Sequence, residues 1–401
     1  MLQSARHHQM PLTSAKGGEP ARVLYLVTED WYVCSHRLPL IRAARLAGLE
    51  VLVATRVQDH AEPIRRAGAE VHALEWRRGS LSPFAFLVDV AHIREIYRRH
   101  RPDIVHLVAI KPAVIGGLAA LAERVPVVVT TLAGRGAMLS GSSVVSTAAG
   151  RVFRGILGRL CRRGNTAVIV QNGDDREWLR QGPFAGRVEL IRGSGVDLER
   201  FQSIPEPPGC FTVAQVSRML TIKGVATVVD AVTRLRAGGH AVRLLLAGDT
   251  DTESRAAIPV DQLRNWAQRP GITWLGRVED VRTVWAQAHC AVLGSIGGEG
   301  VPMSLLEAAA CARPIVATDV PGNRELAREG VNALLVPPGD ADAMAAALLK
   351  LMGDADLRRQ FGAASRAVVD PEFGHVYVTR QTIALYHDLL QQSGMLAGQR
   401  A

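Results

Sequence analysis

The chain has 401 residues, 48% of them hydrophobic and 21% charged, which excludes a disordered or fibrous protein and leaves room for two domains with buried cores. The net charge of +9 is lopsided: residues 1–200 hold 28 Lys/Arg against 18 Asp/Glu, and residues 201–401 hold 19 against 20. An anionic partner is therefore expected on the first half alone: nucleic acid, an acidic polymer, or a membrane surface carrying pyrophosphate-linked lipid.

Residues 1–20 lack the apolar core of a secretion signal and read as a flexible extension. No apolar run reaches the ~20 residues needed to span a bilayer. The five cysteines are scattered without metal-ligand spacing, so they read as buried thiols of a reducing compartment, with the cytoplasm as the expected location. Strand-like runs follow at Val23–Val27, Glu50–Ala54, Ile104–Leu107, Val127–Thr130 and Ala167–Gln171, separated by helical periods. No Gly-x-Gly-x-x-Gly follows the first strand, which disfavours a dinucleotide dehydrogenase. That strand runs instead into Thr28-Glu-Asp-Trp-Tyr-Val-Cys-Ser-His-Arg-Leu-Pro39, where His36 and Arg37 are read either as acceptor contacts or as helix-terminus charges.

His106 ends the third strand, and Lys111 follows in Ile110-Lys-Pro112. Arg135, in the loop after the fourth strand, is read as a phosphate or acceptor contact or as a turn residue. The segment Arg151–Arg163 puts Val152, Phe153, Ile156, Leu157 and Leu160 on one side and five arginines on the other. Its apolar side is expected to pack on the sheet, with the arginines left to meet an anionic membrane.

Residues 192–208, rich in Gly and Pro, read as a linker. Strand-like runs resume at Phe211–Val216, Arg243–Ala247, Ile272–Leu275, Cys290–Leu293, Ile315–Ala317 and Ala333–Val336. The alternation throughout predicts two Rossmann-like α/β domains, with parallel sheets facing a central cleft. Ser217-Arg-Met-Leu-Thr-Ile-Lys-Gly224 lies between a strand and a helix and carries Arg218 and Lys223, a cationic clamp suited to a diphosphate. Further on, Glu299 and Glu307 bracket a glycine-rich loop and the start of a helix over Met303–Ala312. Such a loop offers backbone N–H groups to an anion, and carboxylates suit sugar hydroxyls. Together these groups imply a nucleotide sugar.

Arg218…Lys223-Gly224, Ala247-Gly-Asp249, Leu275-Gly-Arg277, Glu299…Glu307 and Val316–Gly322 occur in the order seen in the family 4 glycosyltransferases, the large retaining group with the GT-B fold, which the chain resembles over residues 21–390. Ser35-His-Arg-Leu-Pro-Leu40 resembles the bacterial surface-polysaccharide branch, whereas the paired glycines that many members carry at the first turn are absent.

The resemblance implies an acceptor-binding domain over residues 21–191, a nucleotide-sugar domain over 209–375, and a C-terminal helix, 376–401, returning to the first domain. It implies transfer with retention from a UDP-sugar to a saccharide acceptor carried on a lipid pyrophosphate. Arg218 and Lys223 would meet the leaving diphosphate, Glu299 the sugar hydroxyls and Glu307 the ribose. Gly298, Gly300, Val301, Pro302 and Arg277 would complete the donor pocket, and His106 would approach the donor sugar unless it is a packing residue. His36, Arg37, Lys111 and Arg135 would meet the acceptor. No cofactor and no metal are implied, so Asp249-Thr-Asp251 is not read as a metal site. A nucleotide-sugar 2-epimerase of the same fold is the alternative. A nucleic-acid-binding protein is disfavoured by the 5% aromatic content.

Overall fold

The computed structural model describes residues 19–76, 83–134, 144–181 and 186–394. The first sheet is built from β1 (Arg22–Glu29), β2 (Glu50–Arg56), β3 (Glu70–Ala73), β4 (Ile104–Val108), β5 (Val127–Leu132), β6 (Thr166–Val170) and β7 (Arg187–Leu190). The second is built from β8 (Phe211–Val216), β9 (Val242–Ala247), β10 (Ile272–Gly276), β11 (Cys290–Leu293), β12 (Ile315–Thr318) and β13 (Ala333–Val336). Every pairing is parallel, in the orders β3-β2-β1-β4-β5-β6-β7 and β10-β9-β8-β11-β12-β13.

Parallel sheets need both faces covered, and the central strands are accordingly continuous apolar runs: all five residues of β4 and all six of β5 are buried. Each sheet separates two apolar layers. Tyr25, Val27, Ile41 and Val108 lie on one face of the first sheet, and Leu24, Leu26, Ile93, Leu107 and Leu157 lie on the other. The helix His375–Gln392 belongs to the first of these layers through Tyr386, Leu389 and Leu390, so it returns to the first sheet. Phe153, Leu157 and Leu160 are buried in the opposite layer. Among the described residues of helix Val144–Cys161, these apolar side chains therefore pack on the sheet, and Arg151 and Arg159 are left exposed. No helix among the described residues is long and apolar enough to cross a membrane.

Strand order reverses at β1/β4 in one sheet and at β8/β11 in the other. The loops leaving such a pair diverge to opposite faces and open a crevice at the strand C-termini, where open α/β sheets take their ligands. The loops after β8 and β11 are drawn tightly together. The Ile296 amide donates to the Ile222 carbonyl (3.0 Å), and Gln215 Nε2 donates to the Lys223 carbonyl (2.9 Å). Gly224 makes this approach feasible: at φ 61° it is left-handed, and a Cβ there would lie 1.7 Å from the Gly294 oxygen. Gly224→Ala is expected to cost more than about 2 kcal/mol in a urea titration, combining left-handed strain with the displaced loop.

Candidate active site

Arg218 and Lys223 leave the β8 end of the second switch point, and Glu299 leaves the β11 end. Lys223 closes a 3-10 turn, Thr221–Lys223, directed at the loop after β11. Its Nζ lies 2.5 Å from Glu299 Oε1, which also accepts from Ser295 Oγ at 2.8 Å. The other oxygen of that carboxylate, Oε2, is buried without a hydrogen-bond partner. A desolvated acceptor with nothing to accept is costly in a ligand-free protein, and it marks where a ligand hydroxyl would bind. Arg218 reaches across to the first domain, its guanidinium 5.2 Å from the Trp31 ring, while Nη1 donates to Asp251 Oδ2 at 2.8 Å. Asp249-Thr-Asp251 therefore supplies a counter-ion, and no group of three or more metal-ligating side chains occurs among the described residues.

At the first switch point, Val27, Thr28 and Glu29 of β1 and Trp31 and Tyr32 of the helix Asp30–His36 meet Val108 at the end of β4 and Ala109 just beyond it. With Arg218 they line an open pocket of about 200 Å³. Bulky aromatics stand where the resembled family often places paired glycines. Ala109 takes φ 78° and ψ 174°, a backbone state that glycine ordinarily occupies, so the cavity wall holds a strained turn. His36 stacks on Tyr32 with ring centroids 4.2 Å apart. Burial, with the charges of Arg37, Lys223 and Arg218, pushes its pKa down to about 3, so the ring stays neutral and faces a positive site.

The glycine-rich loop of the second domain lies against the first. The Val301 amide donates to Gln171 Oε1 at 3.2 Å, and a Cβ on Gly300 would fall 1.9 Å from that same oxygen. A Cβ on Gly134 would lie 2.5 Å from the Gly298 oxygen. The amide of Val301 is thus occupied by the other domain. Pro302 precedes helix Met303–Ala310, and no side chain caps that helix start. The helix stops two residues before its expected end because Ala312 turns left-handed (φ 58°) ahead of Pro314. Glu307, on this helix, keeps only partial solvent access, and burial pushes its carboxyl up to about 8, with Arg200 opposing and Asp280 adding to the shift.

A carboxyl raised in the folded state above its usual 4.5 costs stability as pH climbs between those values, because folding must then take up a proton that the unfolded chain has already lost. The thermal midpoint is expected to fall between pH 5 and 8 by more in the wild type than in Glu307→Gln. An equal fall in both would show that Glu307 does not titrate there.

Three expected site residues are placed elsewhere or not at all. His106 is fully buried: its Nδ1 bonds the Tyr386 hydroxyl and its Nε2 the Thr131 hydroxyl at 2.6 Å. It packs between the sheet and the C-terminal helix, with both nitrogens engaged, and does not approach the cleft. Its pKa lies well below the usual range, chiefly through burial. Lys111 turns to Asp89 (3.3 Å) and the Trp76 ring (4.8 Å) rather than into the cavity. Arg135 and residues 1–18 lie outside the described residues. Arg277 is exposed, its guanidinium 3.4 Å from His60 Nε2 of the first domain. The domains also meet through Arg56 and Glu253, joined by two 2.6 Å bonds.

Comparison with known proteins matches the two halves to two models of one enzyme class. Residues 22–172 match "Glycosyl transferase 4-like" and residues 210–354 match "Glycosyl transferases group 1". The chain is a family 4 glycosyltransferase with the GT-B fold. The glycosyltransferase is 23% identical over 370 residues to N,N'-diacetylbacillosaminyl-diphospho-undecaprenol alpha-1,3-N-acetylgalactosaminyltransferase of Campylobacter jejuni, covering 88% of this chain and 95% of that one. It is 35% identical over 201 residues to an exopolysaccharide phosphotransferase of Streptomyces coelicolor, but this match takes in 49% of this chain and only 20% of that longer protein. The structure of Anabaena HepE in complex with UDP-glucose superimposes with a TM-score of 0.73 at 19% identity, over 92% of this chain and 99% of that one. The alternative of a 2-epimerase is not supported, since both matched models are of transferases.

Proposed function

We propose that the glycosyltransferase moves a sugar, with retained anomeric configuration, from a UDP-sugar to a lipid-linked saccharide during polysaccharide assembly. The observation that carries this reading is the pairing of Lys223 with the half-satisfied Glu299 at the second switch point, with Arg218 of the same loop on the wall of the cavity at the first. On binding, the donor diphosphate would take Lys223 from Glu299 and Arg218 from Asp251, and the freed Glu299 oxygens would accept from sugar hydroxyls. As the anomeric carbon–oxygen bond breaks, charge grows on the departing phosphate, where two preorganised cations stabilise it most. The acceptor oxygen bonds the same face of that carbon, and its proton passes to the leaving phosphate oxygen, so no separate base is needed. Glu307 would hold the ribose hydroxyls, with Arg277 and the uncapped helix start after Pro302 nearby. Residues 209–375 would thus hold the donor and residues 21–191 the acceptor, and the arginines of 151–163 would keep the enzyme at an anionic membrane.

The complexes of HepE with UDP and UDP-glucose, and the lipid-diphosphate substrate named for the Campylobacter relative, support these choices. Incubation with UDP-, GDP- and ADP-sugars in EDTA, with and without bacterial membranes, tests them by mass spectrometry. UDP release that rises with membranes and fails in Glu299→Ala is expected. Release from GDP- or ADP-sugars alone would overturn the donor assignment.

A further inference from the structure

On the first-domain side of the cleft, Arg56 meets Glu253, His60 meets Arg277, and the Trp31 ring meets Arg218. These first-domain groups share one anchor. Asp30 is fully buried, and its carboxylate accepts from the backbone amides of Trp31 (2.7 Å), Gln58 (2.7 Å) and His60 (2.9 Å). The stretch that follows β2 is thereby tied to the helix whose Trp31 and Tyr32 line the pocket. Arg56, at the end of β2, also lies 3.7 Å from Glu29 on the pocket wall.

The opposing groups of the second domain are tied to the diphosphate cations in the same way. Glu253 lies in the loop after β9, and residues 249–258 run along the segment that carries Arg218 and Lys223. The Met219 amide donates to the Asp249 carbonyl (2.9 Å), the Thr221 amide to Ala256 (2.8 Å), and the Ile258 amide back to Met219 (3.0 Å). Asp251 of this loop holds the Arg218 guanidinium at 2.8 Å. Loop and cationic segment therefore form one piece, and Glu253 is its point of attachment to the first domain.

The attachment is bidentate: Nη1 and Nη2 of Arg56 each donate to a different oxygen of Glu253 at 2.6 Å. With the side chains 24% and 43% exposed, water screens the pair and its share in folding stability is small. A planar fork on a carboxylate does fix distance and orientation. We infer that Arg56 and Glu253 are a positioning pair, which holds the cationic segment of the second domain in register with the pocket of the first. This rests on the proposed transfer between those two sites and adds the residues that align them. Neither side chain lines the pocket, and neither pairs with Lys223 or Glu299.

Glu253→Ala is the cleaner cut, because Arg56 also faces Glu29. Four measurements on the full chain test it: initial rates with a UDP-sugar and bacterial membranes, calorimetric titration of UDP, thermal melting, and small-angle X-ray scattering without ligand. Turnover is expected to fall roughly 10- to 100-fold through misalignment of the reacting groups. UDP affinity and the melting midpoint should stay near the wild type, while the radius of gyration increases. Arg56→Lys, which keeps the charge but not the fork, should show an intermediate turnover. Arg56→Met/Glu253→Ala should lose no more than Arg56→Met alone, since both substitutions break one contact. A Glu253→Ala protein with wild-type turnover or an unchanged radius overturns the inference. So do losses that multiply in the double variant, or a fall in turnover matched by equal losses of UDP affinity or stability. A wild type that ignores UDP, with a radius that still grows in Glu253→Ala, would uphold the alignment and contradict the donor reading instead.

Discussion

Lys223→Ala is expected to lower kcat by about a hundred- to a thousandfold, the usual consequence of removing one preorganised group from the charge that develops in a transition state. The effect should appear in kcat rather than in KM for the sugar donor, because the phosphate becomes most negative only as it leaves. Stability should fall as well. Without the lysine, the 8%-exposed Glu299 side chain retains only the Ser295 hydroxyl. An unpaired carboxylate at that burial is strongly destabilising. The double variant Lys223→Ala/Glu299→Gln is therefore expected to regain stability over the single variant without regaining turnover. A double variant no more stable than Lys223→Ala would show that the pair is not coupled in the ligand-free protein.

Glu299→Ala is expected to reduce kcat/KM by about a hundredfold or more, since its two oxygens would each bond a donor hydroxyl and charged acceptors contribute about 1.5–3 kcal/mol apiece. UDP alone should bind the variant nearly as well as the wild type, because the nucleotide carries no hexose hydroxyl for Glu299 to hold. That separation distinguishes a sugar contact from general damage to the pocket. Equal losses for UDP and for the intact donor would place Glu299 on the nucleotide.

The long apolar strands and the cationic and acidic loops around them were legible in the sequence because burial on both faces forces uninterrupted apolar runs. Two strands were not. β3 (Glu-Val-His-Ala) and β7 (Arg-Val-Glu-Leu) have four residues each, lie at the sheet edges and carry charge, so no periodicity marks them. At the site, Lys223 and Glu299 meet across about eighty residues of sequence, while Arg218 of the same loop pairs with Asp251. His106 misled because a histidine at a strand end reads the same whether its ring turns to the cleft or to the core. What decides the matter is Tyr386, 280 residues away on the returning helix. The sequence marks Asp251 only as an aspartate without metal-site context, and its pairing with Arg218 depends on β8 and β9 being neighbours in the sheet. Gln171, at the end of β6, and Trp31, after β1, gained roles only through the approach of the second domain.

The most direct test of the donor site is calorimetric titration of UDP in EDTA into the wild type and into Arg218→Ala/Lys223→Ala. Binding without metal that the double substitution weakens by at least about a hundredfold is expected, since two charge-assisted contacts to the diphosphate are lost. UDP that binds both proteins equally would mean that the nucleotide lies elsewhere and that the paired cations serve another purpose.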